Sequence, residues 1–320
     1  MSVELLIDEI PVIDFFLFTH GDKQAKQTVF KQICDACSQV GFIYLQNHGV
    51  CGDLIEKIFI QSKSFFDLPL KTKQQFAWSN EFSNQGYVGI ERERLNPNRP
   101  GDLKEAFNLV GNGNQINESS IPKSQNTPIH NSYILNFYEA CTQLANKVLQ
   151  ALALALELPE NFFVDNHSDR NHTLRLLHYP PLEQKPHPGQ IRAGEHSDYG
   201  SITLLFQDSL GGLEVKTTSS GSNGDFGKWI CAPSIPDTVI VNTGDLIQRW
   251  TNHVFCSTKH RVIVPDDKRI MQSRYSLAFF CHPNDDTTVT CLESCKKEHP
   301  PIYPPILAGD YLLSRLRATY

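Results

Sequence analysis

The sequence predicts a mainly β protein with flanking helices, built around a sandwich or jelly-roll core. From Thr173 onward, short runs rich in β-branched and aromatic residues are separated by turns, the pattern of many short strands. Ahead of them, residues 130–158 are rich in alanine and leucine and predict one long helix. That helix is expected to pack against the outside of the β core.

The first 130 residues predict a mixed region of helices and short strands. A strand is expected over residues 9–15, a helix over 23–40 and a second strand over 41–50, followed by a helix over 53–66. Residues 79–130 are rich in Asn, Gly, Pro and Ser, which predicts an irregular segment. At the other end of the chain, residues 304–317 predict a final helix against the mouth of a pocket.

Composition narrows the class of protein and its partners. A hydrophobic content of 40% and a charged content of 20% are those of a packed globular protein of 320 residues. A net charge of −6 disfavours nucleic acid and anionic membranes as partners. The acidic N-terminus and nine scattered cysteines indicate reduced thiols and a cytoplasmic location, and we expect a monomer or a weak homo-oligomer.

A candidate metal site stands out in the stretch G-E-H-S-D-Y-G-S-I-T-L-L-F, residues 194–206. His196 and Asp198 are two residues apart in a strand-like run, so they are expected to share one face. Two ligands do not complete a site, and His260, which opens the run H-R-V-I-V-P, supplies a third. Two histidines and one carboxylate on one side of a metal are the ligand set of non-haem Fe(II) oxygenases.

A candidate anion site follows in S-R-Y-S-L-A-F-F, where Arg274 and Ser276 also share a strand face. A guanidinium presents a fixed fork of donors that matches a carboxylate, and a nearby hydroxyl adds another hydrogen bond. A buried arginine would moreover need an anionic partner. The sequence therefore predicts a carboxylate-binding site beside the metal.

The order H-x-D, then H, then R-x-S resembles the 2-oxoglutarate- and Fe(II)-dependent dioxygenases, in the branch of isopenicillin N synthase and the gibberellin and flavonoid oxygenases. The resemblance implies a double-stranded β-helix (jelly-roll, cupin-like) core. It implies Fe(II), 2-oxoglutarate and O2, with ascorbate as a reductant. It also implies that Arg274, Ser276 and Tyr179 bind 2-oxoglutarate, although Leu177 stands where many members have Asn. A C–H bond of a small organic molecule, such as a natural-product intermediate, would be oxidised with release of succinate and CO2.

Candidate substrate contacts come from two parts of the chain. The passage over residues 86–107 resembles one that borders the pocket in this branch, and its basic and aromatic residues indicate a polar or anionic substrate. Apolar residues next to the motifs are candidates for the pocket lining. The predicted substrate contacts are Tyr87, Arg92, Arg94, Lys104, Leu204, Phe206, Trp250, Asn252 and Phe280.

We expect one catalytic unit over residues 1–320, with four parts. These are an N-terminal region of helices, edge strands and a pocket loop (1–130), a buttressing helix (131–170), the jelly-roll core (171–283) and a C-terminal tail with its helix (284–320). Three alternatives remain open from the sequence: an Fe(II) oxidase of the same fold that closes rings without 2-oxoglutarate, a zinc hydrolase, and a non-enzymatic binding barrel.

Overall fold

The computed structural model describes residues 9–78, 84–95, 99–113, 115–116, 131–217, 227–296 and 300–319. Part of the predicted irregular segment, residues 117–130, lies outside the described residues. The strands are β1 (Val12–Asp14), β2 (Phe42–Gln46), β3 (Gly86–Val88), β4 (Glu105–Asn112), β5 (Gln115–Ile116), β6 (Thr173–Tyr179), β7 (Ala193–His196), β8 (Ile202–Gln207), β9 (Leu213–Lys216), β10 (Trp229–Cys231), β11 (Thr238–Thr243), β12 (His260–Val262), β13 (Arg274–Cys281), β14 (Thr288–Val289) and β15 (Ile306–Leu307). The helices are α1 (Phe16–His20), α2 (Lys23–Gln39), α3 (Gly52–Phe66), α4 (Leu70–Gln74), α5 (Asn131–Ala155), α6 (Phe162–Asp165), α7 (Asp245–Trp250) and α8 (Ala308–Thr319).

The core is formed by the eight consecutive strands β6 to β13, which divide between two sheets. Strands β6, β8, β11 and β13 lie in a large sheet of order β1-β2-β11-β8-β13-β6-β4-β3, with β5 paired to β4. Strands β7, β9, β10 and β12 form a smaller sheet of order β10-β9-β12-β7. Because the chain passes repeatedly between two sheets of antiparallel core strands, the fold is the predicted double-stranded β-helix.

The side chains of strand β13, at the centre of the large sheet, point alternately to the two faces of that sheet. The neighbours of its side chains alternate along the chain, because successive side chains of a strand point to opposite faces. Leu277 and Phe279 pack in the hydrophobic cluster shared with the helices. Arg274, Ser276 and Phe280 instead line a cavity between the two sheets. The large sheet therefore has a helix side and a cavity side.

Helices cover the helix side of the large sheet. The longest, α5, has 25 residues and buries an apolar face that includes Phe137, Leu144 and Leu152. Helix α2 packs beside α5, and its N-terminus is capped by the Asp22 carboxylate, which accepts a hydrogen bond from the Ala25 N–H at 2.8 Å. The long helix thus packs against the sheet as the sequence predicts. Among the described helices, none is both long enough and apolar enough to span a membrane.

Helix α8 closes one end of the cavity. Its residues Leu312, Leu313, Leu316 and Thr319 line the cavity. The hydroxyl groups of Thr319 and Tyr199 are 2.6 Å apart, which ties the last turn of the helix to the segment after β7. The final helix therefore lies at the mouth of the pocket, and it starts at Ala308 rather than at residue 304 because β15 precedes it.

Candidate metal and co-substrate site

Three side chains meet at the point where the two sheets open. His196 ends β7 and His260 begins β12, and the two are direct partners in the antiparallel register of the small sheet. Cross-strand partners share a face, so both imidazoles point the same way. Asp198 lies just beyond the end of β7, in the turn to β8, rather than on the strand as predicted. Its Oδ1 atom is 3.9 Å from His196 Nε2 and 3.7 Å from His260 Nε2.

The separations within this triad fit one first-row metal ion. The three ligand atoms lie within 4.8 Å of one another. Ligand atoms that are each about 2.0–2.2 Å from a metal can be up to roughly 4.4 Å apart. The two measured nitrogen-to-oxygen distances satisfy that limit. All three ligands approach from one side, which leaves the cavity side available to other ligands.

Backbone carbonyls set the orientation of both imidazoles. His196 Nδ1 is 2.7 Å from the Gly194 carbonyl oxygen, and His260 Nδ1 is 3.2 Å from that of Thr258. A carbonyl can only accept, so each Nδ1 carries the proton and each Nε2 presents its lone pair to the centre of the triad. This is the outer-shell arrangement that metal-binding histidines need.

The carboxylate of Asp198 is held by two hydrogen bonds to one of its oxygens. Thr203 Oγ1 donates to Oδ2 at 2.6 Å, and Asn242 Nδ2 donates to the same atom at 2.7 Å. Oδ1 is thereby turned towards the two histidines. Thr203 and Asn242 lie on β8 and β11, so the large sheet orients the ligand that the turn supplies.

The ionisation of the triad also suits a divalent cation. Burial, followed by the proximity of His260, lowers the pKa of His196 to about 3, so its imidazole is neutral at neutral pH. Burial alone would raise the pKa of Asp198, but His260, His196 and the donors of Asn242 and Thr203 lower it overall. Neutral imidazole and ionised carboxylate are the protonation states that bind metals.

The second predicted group lies in the same cavity. Arg274 is 1% exposed, and its guanidinium donates to the Gly211 carbonyl at 2.8 Å, to Gln207 Oε1 at 3.0 Å and to Ser276 Oγ at 3.3 Å. It lies 4.7 Å from the centre of the Tyr179 ring. Among the described residues no carboxylate pairs with Arg274, although a buried guanidinium calls for one. The free carboxylate of a 2-oxo acid fits that requirement.

The cavity has a volume of about 760 Å³ and joins the metal triad to the arginine. Besides those groups, its wall includes the aromatic rings of Phe42, Tyr179, Tyr199 and Phe280 and the leucines of α8. Phe280 thus lies where it was predicted. A cavity of this size holds a small organic molecule beside a 2-oxo acid.

A group of four charged side chains contributes three of its members, Glu93, Lys104 and Arg175, to the wall, with Asp102 behind them, and we call it the cavity-side cluster. Arg175 Nη2 lies 2.7 Å from Glu93 Oε2, and Lys104 Nζ lies 3.1 Å from the same oxygen. Lys104 also pairs closely with Asp102. Burial alone would lower the pKa of Lys104, but Glu93 and Asp102 raise it overall, so the ammonium is charged. Lys104 lines the cavity as predicted, with its charge compensated.

The cavity-side cluster is connected to the metal triad. Asp102 Oδ1 accepts a hydrogen bond from the Gly194 N–H at 3.0 Å, and the Gly194 carbonyl is the acceptor that orients His196. A change at Asp102 would therefore act on the orientation of a metal ligand. Burial raises the pKa of Asp102 more than Lys104 lowers it.

Two predicted lining residues of β8 are on the other side of the sheet. Leu204 and Phe206 are buried in the hydrophobic cluster shared with the helices, whereas Thr203 and Leu205 line the cavity. Strand alternation fixes this outcome once Thr203 faces Asp198. The prediction of a substrate contact is wrong for Leu204 and Phe206.

Tyr87 also lies on the helix side. Its hydroxyl donates to Glu105 Oε2 at 2.5 Å, and the same carboxylate pairs with Lys73 at 2.7 Å and with His178 Nδ1 at 2.8 Å. We call Lys73, Tyr87, Glu105 and His178 the helix-side cluster. Because Tyr87 belongs to this buried cluster and not to the cavity wall, its predicted role is corrected.

The two predicted arginine contacts lie outside the cavity. Arg92 and Arg94 are exposed, and the Arg92 guanidinium lies 5.4 Å from the centre of the Trp78 ring. Arg94 contacts the end of α8 through its backbone, because its N–H donates a hydrogen bond to the Thr319 carbonyl at 3.3 Å. Their charges therefore give no support to an anionic substrate.

Trp250 and Asn252 are buried away from the cavity as well. The segment after Gly244 forms α7, which turns Trp250 into the apolar core, 5.4 Å from the Phe163 ring. Asn252 Oδ1 accepts from the Ile302 N–H at 2.9 Å and so fixes a C-terminal loop. The contacts of Trp250 and Asn252 therefore indicate a structural role for both, and the predicted substrate contact is wrong for each.

The sequence analysis missed several residues of the wall. Arg175 lies in T-L-R-L-L-H-Y two residues from Thr173 and Leu177 and four from Tyr179, and all four line the cavity. Counting back from Tyr179 in steps of two would have found it. Glu93 and the leucines of α8 gave no such signal, because loops and amphipathic helices do not reveal which cavity they face.

Comparison with known proteins agrees with this geometry. A family model described as the 2OG-Fe(II) oxygenase superfamily matches residues 170–283. A second, described as the N-terminal region of a non-haem dioxygenase in morphine synthesis, matches residues 10–130.

Similar proteins cover nearly the whole chain. A 2-oxoglutarate-Fe(II) type oxidoreductase, ppzD of Metarhizium rileyi, is 34% identical over 97% of this chain and 91% of its own length. The proline hydroxylase buaE of Petromyces alliaceus is 31% identical over 98% and 100%. A full-length Neurospora crassa protein, whose crystal structure is a complex with alpha-KG (2-oxoglutarate) and thymine, is 37% identical, with a TM-score of 0.86 and coverage of 97% of each chain.

These relatives support a 2-oxoglutarate-dependent reaction over the three alternatives that the sequence left open. The cofactor and co-substrate are Fe(II) and 2-oxoglutarate, and the other substrate is a small molecule. The chain belongs to the 2OG-Fe(II) oxygenase superfamily, and it is an iron- and 2-oxoglutarate-dependent dioxygenase.

Proposed function

We propose that His196, Asp198 and His260 hold the iron and that Arg274, Ser276 and Tyr179 bind the distal carboxylate of 2-oxoglutarate. The shared cavity, the inward Nε2 atoms and the buried arginine, which has no carboxylate partner in the described part of the chain, support these assignments. When bound, the metal, 2-oxoglutarate and O2 supply an oxidant that attacks a C–H bond. The protein orients the reactants and excludes water from them.

We further propose that the second substrate is a small uncharged heterocycle with imide-like donors and acceptors, of the pyrimidine class. The observation that carries this proposal is the Arg175–Glu93 pair in a cavity that also contains the Tyr199 and Phe280 rings. A guanidinium donates to a ring carbonyl, a carboxylate accepts from a ring N–H, and aromatic rings stack on a flat ring. The thymine complex of the Neurospora crassa protein lends independent support.

Charge balance favours a neutral substrate over an anion. The cavity-side cluster contains two cations, Arg175 and Lys104, and two carboxylates, Glu93 and Asp102. With these charges paired, the cavity-side cluster has no surplus positive charge for an anionic group, and Arg274 is assigned to the distal carboxylate of 2-oxoglutarate. The apolar part of the lining, which includes the leucines of α8 and Phe280, would contact the body of the molecule.

The test is a coupled assay on the purified protein with Fe(II), 2-oxoglutarate and O2, with and without ascorbate. We expect thymine or a related pyrimidine to raise succinate formation well above the substrate-free rate, with one oxygen atom gained in the product. L-Proline is the matched comparison, because one relative is named a proline hydroxylase. Stimulation by L-proline and not by pyrimidines would replace the pyrimidine proposal with an amino-acid substrate.

We also propose that the protein works as a monomer in the cytoplasm. All nine cysteines are free, as in a reducing compartment, and one chain supplies every wall of the cavity. Light scattering after gel filtration should give the mass of one chain, 36.2 kDa. A stable mass of twice that value would contradict the monomer.

A further inference from the structure

A second buried arginine lies next to the proposed oxo-acid site. Arg192, immediately before β7, has 0% of its surface exposed. Its Nη2 donates to the Gln272 carbonyl at 3.0 Å, while its Nε and Nη1 atoms are buried and have no hydrogen-bond partner among the described residues. No residue described in the structure pairs a carboxylate with Arg192 at salt-bridge distance.

The surroundings of Arg192 are more positive than a buried site normally tolerates. Burial, followed by the charge of Arg274, lowers the pKa of Arg192, whereas Tyr179 and Asp208 raise it. Asp208 is the carboxylate that faces this region, and both of its oxygens already accept backbone hydrogen bonds, from Leu210 and Tyr275. Two guanidinium groups thus share a buried region that contains one committed carboxylate. Such an arrangement is costly unless an anion joins it.

We propose that Arg192 is a positioning residue for 2-oxoglutarate, a second cation behind Arg274 and Tyr179 that strengthens binding of the distal carboxylate without touching it. Arg274 and Tyr179 line the cavity, whereas Arg192 contributes no surface to it. Its charge acts through the protein interior, where water does not screen it. The inference rests on the proposed assignment of Arg274, Ser276 and Tyr179 to the distal carboxylate.

This role makes a selective demand on the ligand. A 2-oxo acid that lacks the distal carboxylate, such as 2-oxobutyrate, keeps the group that meets the metal but has nothing for the two arginines to attract. The charge of Arg192 should therefore raise the affinity for 2-oxoglutarate and leave that for 2-oxobutyrate unchanged. A residue that only supports the fold would affect both ligands alike.

The experiment measures binding without turnover, by calorimetry on the Fe(II)-loaded protein under anaerobic conditions. Arg192→Met removes the charge and keeps an unbranched side chain, and Arg192→Lys is the control that restores a cation. We expect R192M to weaken 2-oxoglutarate binding roughly tenfold, as expected for losing a buried charge that attracts the carboxylate from a distance. R192K should stay within about threefold of the wild type, and 2-oxobutyrate binding should not change in either variant.

Two further measurements make the outcome decisive. Removing an unpaired buried charge should leave the melting temperature of the metal-free R192M protein unchanged or higher. Equal weakening of both oxo acids, or a lower melting temperature with unchanged affinity for 2-oxoglutarate, would show that Arg192 is only structural and overturn the inference. If R192M does not fold, R192K and Arg192→Gln are compared in the same way.

A parallel variant separates this inference from the assignment on which it rests. Arg274→Met should abolish the preference for 2-oxoglutarate over 2-oxobutyrate. If R274M keeps that preference, the proposed carboxylate site itself is wrong. If R274M loses it and R192M keeps it, only the role of Arg192 fails.

Discussion

Two buried lysine clusters lie on opposite faces of the large sheet, and their contrast shows what distinguishes a structural charge from a functional one. Lys104 and Glu105 are adjacent in sequence, so their side chains point to opposite sides. Glu105 belongs to the helix-side cluster, in which Lys73, Tyr87 and His178 satisfy one carboxylate. Lys104 belongs to the cavity-side cluster, which forms part of the cavity wall.

Both clusters contain a buried lysine paired with carboxylates, but they differ in whether they border the cavity. In the helix-side cluster, protein side chains surround the Glu105 carboxylate. Burial alone would raise the pKa of Glu105, but His178, Lys73 and Tyr87 lower it overall. Glu93 and Arg175 in the cavity-side cluster border a space of about 760 Å³ that a ligand can enter. A buried ion pair is therefore a candidate binding group when its surroundings are incomplete without a ligand.

The largest effect is expected from a matched pair of histidine substitutions on the two sides. His260→Ala removes a proposed metal ligand and should lower turnover by roughly a thousandfold or more, because several kcal/mol of metal stabilisation are lost. His178→Ala, in the helix-side cluster, should lower the melting temperature and retain turnover per folded molecule. Succinate formation and thermal unfolding measure the two quantities. A loss of turnover in H178A equal to that in H260A would contradict the structural role assigned to the helix-side cluster.

The next effect concerns the stability of the helix-side cluster. Glu105→Gln removes the charge that three neighbours share and leaves the Lys73 ammonium buried without its counter-ion, its side chain being 9% exposed. We expect the free energy of unfolding to fall by about 3–5 kcal/mol. Urea denaturation at pH 7.5 measures it. A loss below about 1 kcal/mol would mean that the lysine relaxes to solvent.

The same substitution on the cavity side should have a different result. Glu93→Gln replaces one acceptor oxygen of the proposed substrate wall by an NH2 donor and removes the negative charge beside Arg175, while Asp102 still pairs with Lys104. We expect KM for the organic substrate to rise about tenfold, the value of one hydrogen bond to a charged group, with KM for 2-oxoglutarate unchanged. Initial rates with each substrate varied in turn provide the measurement. A parallel rise in both KM values would instead indicate damage to the metal site through Asp102 and Gly194.

The last effect is a pH dependence of stability that arises from His167. This imidazole is fully buried, and its nitrogens lie 2.6 Å from the Phe163 carbonyl oxygen and 2.9 Å from Ser201 Oγ. Burial lowers its pKa to about 4 from an ordinary 6.5. Since the unfolded chain binds this proton more readily, the contribution to stability is complete above pH 6.5 and is lost as the pH falls towards 4.

His167→Gln should remove that slope, about 1.4 kcal/mol per pH unit for one proton, between pH 6.5 and 4.5. Urea denaturation of both proteins across this interval measures the difference. Identical slopes in the two proteins would show that other groups, such as His172 and His282, account for the pH dependence.

The metal triad could be predicted because its chemistry restricts the residue types and their order. His196, Asp198 and His260 stand out in the sequence as candidate ligands, and the meeting of the two histidines follows from strands that become partners in the small sheet. The jelly roll and the long helix were equally visible, because periodicity reports burial on one face. Arg274 was recognisable because it shares a strand face with Ser276.

The substrate wall was predicted less well, for a physical reason. Strand β8 is largely buried on both faces, so the run I-T-L-L-F has no polar alternation to show that Thr203 and Leu205, rather than Leu204 and Phe206, face the cavity. Compensation of charge is also invisible in a sequence. The exposed Arg92 and the buried Arg192 look alike until their neighbours are known.

The contact between Thr319 and Tyr199 has a practical consequence for producing this enzyme. The last turn of α8 is part of the cavity wall, so an affinity tag fused to the C-terminus would lie near the cavity and could obstruct the binding of reactants. A cleavable tag at the other end of the chain avoids this fusion to the last turn of α8. Preparations tagged at different ends would then differ in apparent specific activity, although the chemistry of the enzyme is the same.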